Sequence, residues 1–332
     1  MDAPIGAGDT KLRVAVVGAG AVGLGLGSCC VESGEQVHFV TRRASYAEAL
    51  ARNGIVRTGI FGKATASGDR FEVSSSIASL RGREFDWILV ATKTPAAPEV
   101  SHQLAEAWDE IGGEKRLLLA FNGWGTAQHF SSELPANRIY SARVITGFRR
   151  GEPGQVDITV HASSVLAGSL FGAPVEALVP LCESVARGGL PCETTPDIER
   201  ELWAKMLYNC ALNPLGALIG VPYGVLGERR ETRSIMEGVV TEIFELLDAT
   251  GYQTNWSNAA SYLDHLFGEL LPPTAAHESS MLQDLQAGRR TEIDALSGAV
   301  VELARKHGVH TPVNHALATL IQAREAHSAA LL

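Results

Sequence analysis

Arg13-Val14-Ala15-Val16-Val17-Gly18-Ala19-Gly20-Ala21-Val22-Gly23 is the stretch on which the architecture turns. Its first five residues are mostly apolar and β-branched, the composition of a short buried strand. Glycines at GxGxxG spacing follow at once and open a run of helical period reaching to about Glu32. In that setting Gly18 permits a tight turn, Gly20 lets the backbone approach a diphosphate, and Gly23 lets helix and strand pack closely. The N–H groups and positive dipole end at the helix start favour the same anion, so Gly18, Ala19, Gly20, Ala21, Val22 and Gly23 together predict a dinucleotide site.

Outward from this turn, short β-rich runs alternate with helical stretches: Gln36–Thr41, Trp87–Ala91 and Leu117–Phe121 read as further strands. Two β-rich pieces between Asp157 and Phe171 read as more strands closing the same sheet. After about Pro196 the pattern becomes helical throughout, over Asp197–Gly220, Thr232–Gly251, Ser257–Phe267, Ser279–Ala287, Thr291–His307 and Val313–Glu325. The expected fold class is therefore α/β: an N-terminal Rossmann-type dinucleotide-binding domain, residues 1–196, with a C-terminal all-helical domain, residues 197–332.

A net charge of −9 disfavours nucleic acid and anionic membrane as partners, because both call for a face rich in Lys and Arg. No apolar window is long enough for a membrane span. Met1–Thr10 lacks the basic start and apolar core of a signal peptide and reads as a loose tail. The five cysteines show no CxxC pairing and the ten histidines no HxxxH or HExxH spacing, which predicts a reduced cytoplasmic setting and no structural metal.

Three strand ends carry candidate cofactor contacts, since ligands of open parallel sheets lie outside the carboxyl ends of the strands. The second strand ends in Thr41-Arg42-Arg43 with no acidic residue to hold a ribose 2′-hydroxyl, and guanidinium groups suit a 2′-phosphate, so NADP is preferred over NAD. Lys93, in Thr92-Lys93-Thr94, is placed to approach the adenine-side phosphate or ribose. Asn122, in Asn122-Gly123, is placed to bond the nicotinamide ribose or a reacting carbonyl. Taken alone, each has an ordinary explanation, a surface lysine and a turn-forming Asn-Gly.

In Trp203-Ala204-Lys205-Met206-Leu207-Tyr208-Asn209-Cys210-Ala211-Leu212-Asn213, the polar residues Lys205, Asn209 and Asn213 recur every four positions and share one helical face. Asn is a poor helix-interior residue, so two beside apolar neighbours point to a binding face. Ketone reduction creates alkoxide charge that a positioned acid must stabilise and protonate, and a Lys ammonium can do both. Farther on, Ser280 and Gln283 stand in capping-box spacing, and a hydroxyl at a helix start is equally a contact for a substrate carboxylate. Thr291-Glu292-Ile293-Asp294 reads as the start of the next helix, where acidic residues suit the dipole.

These pieces in this order, with Trp203-x-Lys205-x-x-x-Asn209-x-x-x-Asn213-Pro214 and Ser279-Ser280-Met281-Leu282-Gln283-Asp284 followed by Thr291-Glu292-Ile293-Asp294, resemble the ketopantoate reductase family over nearly the whole chain. The resemblance implies NADPH-dependent reduction of 2-dehydropantoate to (R)-pantoate, a step toward pantothenate and coenzyme A. It implies Lys205 as general acid and Glu292 as the residue that orients it and contacts substrate. It further implies Asn209, Asn213 and Ser280 as substrate contacts, Asn122 near the nicotinamide and reacting carbonyl, and Arg42 and Lys93 on the 2′-phosphate side of NADP. Family members place the site in an interdomain cleft that closes over it, and a homodimer is the assembly they imply. One departure stands out: where the family commonly offers another substrate-side Asn, this chain has Tyr223 in Val221-Pro222-Tyr223-Gly224. That leaves open a reductase of another branched or aromatic 2-oxo acid, its pocket reshaped around Tyr223 and Trp124. A non-enzyme alternative, an NADP(H)-sensing regulator, would have no use for Lys205, both Asn and Glu292.

Overall fold

A computed structural model describes residues 11–330, with side chains to residue 327. The expected loose tail Met1–Thr10 lies outside the described residues. The chain divides into two compact units. One holds the residues up to Thr92 with Glu99–Ala120 and Ser131–Pro196; the other holds Lys93–Pro98, Phe121–Phe130 and everything from Asp197 on.

The strands are β1 (Arg13–Val17), β2 (Gln36–Val40), β3 (Ile55–Gly59), β4 (Ala64–Ala66), β5 (Glu72–Ser74), β6 (Trp87–Val90), β7 (Arg116–Leu119), β8 (Ile139–Arg143), β9 (Thr146–Arg150), β10 (Gln155–His161), β11 (Val165–Gly168) and β12 (Cys192–Thr194). Eight of them form one sheet in the order β12-β11-β8-β7-β6-β1-β2-β5. Every neighbouring pair in it is parallel except β8 with β11. β1, β6 and β7 are buried along most of their length, as strands covered on both faces must be, and their Val, Ile and Leu runs show it. The order reverses between β1 and β6, the place where a doubly wound sheet opens a crevice for a ligand.

One expectation is corrected. Of the two β-rich pieces between Asp157 and Phe171, only β11 joins this sheet; β10 lies in a separate sheet ordered β4-β3-β10-β9, parallel to β3 and antiparallel to β9. A half-buried alternation gives a strand but does not say which sheet accepts it.

The helices are α1 (Ala21–Glu32), α2 (Ala44–Asn53), α3 (Ala97–Ala107), α4 (Thr126–Ser131), α5 (Val179–Arg187), α6 (Ile198–Ile219), α7 (Tyr223–Glu228), α8 (Arg230–Thr250), α9 (Ala259–His265), α10 (Ser280–Gln286), α11 (Ser297–His307) and α12 (Pro312–Ala330). In the second unit α6 is central, packed by α8, α10 and α12. It is apolar nearly all round, with Leu207, Cys210, Ala211 and Leu212 fully buried, so its lone polar stripe has to find partners inside the protein. The helix ends at Gly220 in the left-handed conformation, whose N–H bonds the Gly216 carbonyl. Among the described residues no helix is long and apolar enough to cross a membrane.

The stretch Thr291–His307 does not form one helix as expected. A short 3-10 turn, Ile293–Ala295, is separated from α11 by Leu296, whose φ −101° and ψ −110° are not helical. Glu292 therefore caps a turn rather than lying in a first helical turn, and its carboxylate is turned to other partners.

Candidate active site

In the sheet unit, the glycine turn has the geometry that its spacing predicts. Gly18 adopts φ +101°, and a Cβ there would lie 2.9 Å from the carbonyl of Ala91 and from Thr92 Cγ2. A Cβ on Gly23 would sit 1.9 Å from the Gly18 carbonyl oxygen, so nothing but hydrogen fits. Gly20 is different: nothing lies within 4 Å of a Cβ built on it, and the side of the turn it faces is open. It precedes α1 without any side-chain cap, leaving the N-terminal amides to another acceptor. Against Gly18, though far from it in sequence, the Thr92 hydroxyl is buried without a hydrogen-bond partner. Arg42 and Arg43 follow β2 as exposed side chains that make no ion pair among the described residues. An open, uncapped amide cradle with unengaged cations near it fits a phosphorylated dinucleotide.

In the helical unit, five chain segments meet. Asn122 follows β7, and its backbone is fixed by Gly123 at φ +93°, where a Cβ would lie 2.2 Å from the Ala295 carbonyl oxygen. The next amide, of Trp124, donates to that same oxygen at 2.8 Å. Glycine at 123 is thus required for seating this turn on the segment that carries Glu292. Asn122 Nδ2 then donates to Glu292 Oε2 at 2.8 Å, and Asn122 Oδ1 accepts from Lys205 Nζ at 2.6 Å. The lysine and the glutamate share one amide, each on the end that suits its charge.

Glu292 is 6% exposed, and its other oxygen accepts from both the backbone N–H and the hydroxyl of Thr94 at 3.2 Å. Lys93 Nζ lies 3.7 Å from Glu292 and donates to Asp284 Oδ2 at 2.7 Å. Asp284 is buried and is also held by Arg289 Nε at 3.0 Å. Burial by itself would lower the Lys93 pKa, but the carboxylates of Glu292 and Asp284 outweigh it and hold the value above that of an ordinary lysine. The sequence reading sets Lys93 toward an adenine-side phosphate; in the structure its charge is engaged by two carboxylates of the helical unit.

Asn122, Asn213, Ser280, Met281, Asp284, Glu292 and Leu296 line a small pocket. Lys205 reaches it through Asn122. Asn209 lies on the same face of α6, buried, with no side-chain hydrogen bond among the described residues. Ser280 is not the helix cap: Ser279 is, its side chain accepting from the Leu282 N–H at 3.1 Å, so the Ser280 hydroxyl is left to the pocket. Neither Tyr223 nor Trp124 lines the pocket. Tyr223 donates to Asn213 behind it, and Trp124 clusters with Trp203, at a tilt, and with Tyr252, edge-on. Sequence reasoning missed Asp284 and Thr94 as functional positions. The i, i+4 spacing of Ser280 and Asp284, which puts both on one face of α10, is the signal for the first. Thr94 gives none beyond its place at a strand end. No cluster of metal-binding side chains occurs among the described residues.

Set beside known proteins, residues 14–169 match the family described as "Ketopantoate reductase PanE/ApbA", and residues 197–325 match "Ketopantoate reductase PanE/ApbA C terminal". A 2-dehydropantoate 2-reductase of Aquifex aeolicus is 31% identical over 319 residues, 95% of this chain and 97% of that protein. The crystal structure of a 2-dehydropantoate 2-reductase from Geobacter metallireducens superposes with a TM-score of 0.83 at 28% identity, covering 94% of this chain and 99% of that one. A D-mandelate dehydrogenase seen with NADH and anilino(oxo)acetate shares the fold, with a TM-score of 0.82 at 21% identity over 96% and 99% of the two chains.

Proposed function

This chain belongs to the ketopantoate reductase family, and from that premise we propose that it reduces 2-dehydropantoate to (R)-pantoate with NADPH, in the cytoplasmic synthesis of pantothenate and coenzyme A. The observation that carries the reading is the chain Lys205–Asn122–Glu292 at the edge of a small pocket that also offers Asn213 and Ser280. The five free cysteines, all buried, suit a reducing compartment.

When bound, the reduced dinucleotide supplies a hydride to the oxo carbon. Gly18, Ala19, Gly20, Ala21, Val22 and Gly23 would hold its diphosphate, Arg42 its 2′-phosphate, and Asn122 its nicotinamide ribose. Lys205 Nζ donates a proton to the carbonyl oxygen as alkoxide charge grows there, and is left neutral until solvent reprotonates it. Asn122 Oδ1 orients that ammonium, and Glu292 fixes Asn122 while offering an acceptor to a substrate hydroxyl. Asn209, Asn213 and Ser280 bind the remainder of the oxo acid. Lys93 holds Glu292 and Asp284 in place by charge rather than meeting a phosphate. Residues 1–196 would then serve the cofactor and 197–332 the substrate, with the homodimer as the working assembly.

The test is NADPH oxidation by the purified protein with 2-dehydropantoate, against NADH and a panel of 2-oxo acids. Rapid NADPH-specific turnover of 2-dehydropantoate is expected. Turnover of another 2-oxo acid alone, or tight NADPH binding without turnover of any, would refute the assignment.

A further inference from the structure

Tyr223 is 3% exposed and does not line the pocket, yet it touches a residue that does. It is gripped from three sides. The ring packs edge-on against Tyr208 at 5.8 Å and at a tilt against His277 at 5.2 Å, and its backbone N–H donates to the His277 carbonyl at 3.1 Å. Tyr208 is itself anchored through its hydroxyl to Thr274 Oγ1 at 2.9 Å. The Tyr223 hydroxyl has one destination, Asn213 Oδ1 at 2.5 Å. Burial pushes the phenol well above its ordinary pKa, so it remains a donor at any pH the protein meets.

An asparagine amide is an acceptor at one end and a donor at the other, and an unheld one can turn either toward a ligand. With Oδ1 occupied from behind, Asn213 shows the pocket its NH2 group alone. Asn213 also lies two helical turns beyond Lys205, a rise of about 12 Å along α6. The carbonyl that Lys205 protonates and the carboxylate on the adjoining carbon occupy the Lys205 end. What meets Asn213 is the far end of the substrate.

We propose that Tyr223 is a positioning residue that locks Asn213 as a one-way donor, and that this selects 2-oxo acids bearing an oxygen, such as a hydroxyl, at the end remote from the carboxylate. An all-hydrocarbon chain of the same shape leaves the NH2 buried without an acceptor, and sites built to bond a hydroxyl reject analogues lacking it. The inference rests on the proposed reaction and adds how its substrate is chosen.

The experiment compares 2-dehydropantoate with 3,3-dimethyl-2-oxobutanoate, the same skeleton without the hydroxyl, by kcat/KM. Alongside it, calorimetry on the NADP-loaded protein compares binding of the two corresponding 2-hydroxy acids. Wild type should favour the hydroxylated member about 100-fold in both readouts. Tyr223→Phe, which keeps the ring, and Tyr223→Met, a second way to remove the hydroxyl, should each lower that preference about tenfold, chiefly through KM. Asn213→Ala should lower it by at least as much, and adding Tyr223→Phe to it should change nothing further. Parity in wild type, an undiminished preference in both Tyr223 variants, or losses that multiply in the double variant would overturn the inference while leaving the reaction standing. No turnover of either oxo acid and no binding of either hydroxy acid would overturn both, and differs from those results at a glance.

Discussion

Asn122 Nδ2 donates to Glu292 Oε2 at 2.8 Å, joining two residues 170 positions apart in the chain. The other end of the same amide accepts from Lys205, so one uncharged side chain sets the separation of the candidate acid and the candidate carboxylate. Asn122→Ala removes two hydrogen bonds to charged groups, each worth about 1.5–3 kcal/mol. If the bridge serves the reaction, kcat/KM for the oxo acid falls on the order of 10²–10³-fold, each 1.36 kcal/mol being tenfold. Steady-state kinetics with NADPH saturating measure it; a loss under about threefold would deny the amide this role.

Lys205→Ala takes away the proposed proton donor but no part of the glycine turn. A drop in kcat of about 10²–10⁴-fold is expected, with the NADPH dissociation constant within about threefold of wild type. Cofactor fluorescence titration and turnover, measured on one preparation, separate the two quantities. A variant that retains turnover sends the search for the acid elsewhere.

Gly20 and Gly23 differ in what surrounds them, and alanine reads the difference. Gly20→Ala meets no atom within 4 Å and should melt at the wild-type temperature, yet bind NADPH at least tenfold more weakly if its methyl group stands where the proposed diphosphate approaches. Gly23→Ala collides with the Gly18 carbonyl oxygen at 1.9 Å and should lose thermal stability outright. Equal stability loss in both would mean the open side of Gly20 is not open.

Arg42 has no carboxylate partner among the described residues to account for its charge. Arg42→Ala should reduce the ratio of kcat/KM for NADPH over NADH by about 10–100-fold, mostly by raising the KM for NADPH. An unaltered ratio in Arg42→Ala and in the Arg42→Ala/Arg43→Ala double variant would remove the strand end from cofactor choice.

His38 supplies a pH dependence of stability. Arg83 Nη1 contacts its Nδ1 at 2.6 Å, and since a guanidinium cannot accept, that nitrogen carries no proton; Nε2 pairs with Ser74 Oγ at 2.9 Å. Burial, and then the facing Arg83, hold the imidazole below its ordinary value against the opposing pull of Glu72. The folded pKa is thus lower than the unfolded one, near about 6.5, and on acidification the unfolded chain takes up the proton first. Stability from this site is complete above the unfolded value and is lost as the pH falls through it. The melting temperature should drop between about pH 7.5 and about pH 5.5, and drop less in His38→Gln. Parallel curves for the two proteins would exclude His38 as a source.

Much of this was legible in the sequence, for reasons that differ by residue. The GxGxxG turn reads itself, because Gly23 answers to the Gly18 carbonyl five residues back and Gly18 must take a positive φ to make the turn. The α6 stripe was readable because Asn is conspicuous inside a helix whose other faces are apolar. What stayed hidden depends on contacts across the chain. Nothing local says that β10 leaves the main sheet or that Lys93 faces Asp284 and Glu292. The helix read from Thr291 onward failed for a related reason: its break at Leu296 comes from seating Ala295 against the Gly123 turn, a partner far off in sequence.

Thr94 and Glu292, which share two hydrogen bonds, stand 198 residues apart. Contacts of that span close late, because the chain entropy of so long a loop must be overcome before the bonds form. On refolding from denaturant, helical signal should therefore return before any catalytic competence does, and the interval between them times the arrival of a strand-end loop at a turn made by the last quarter of the chain.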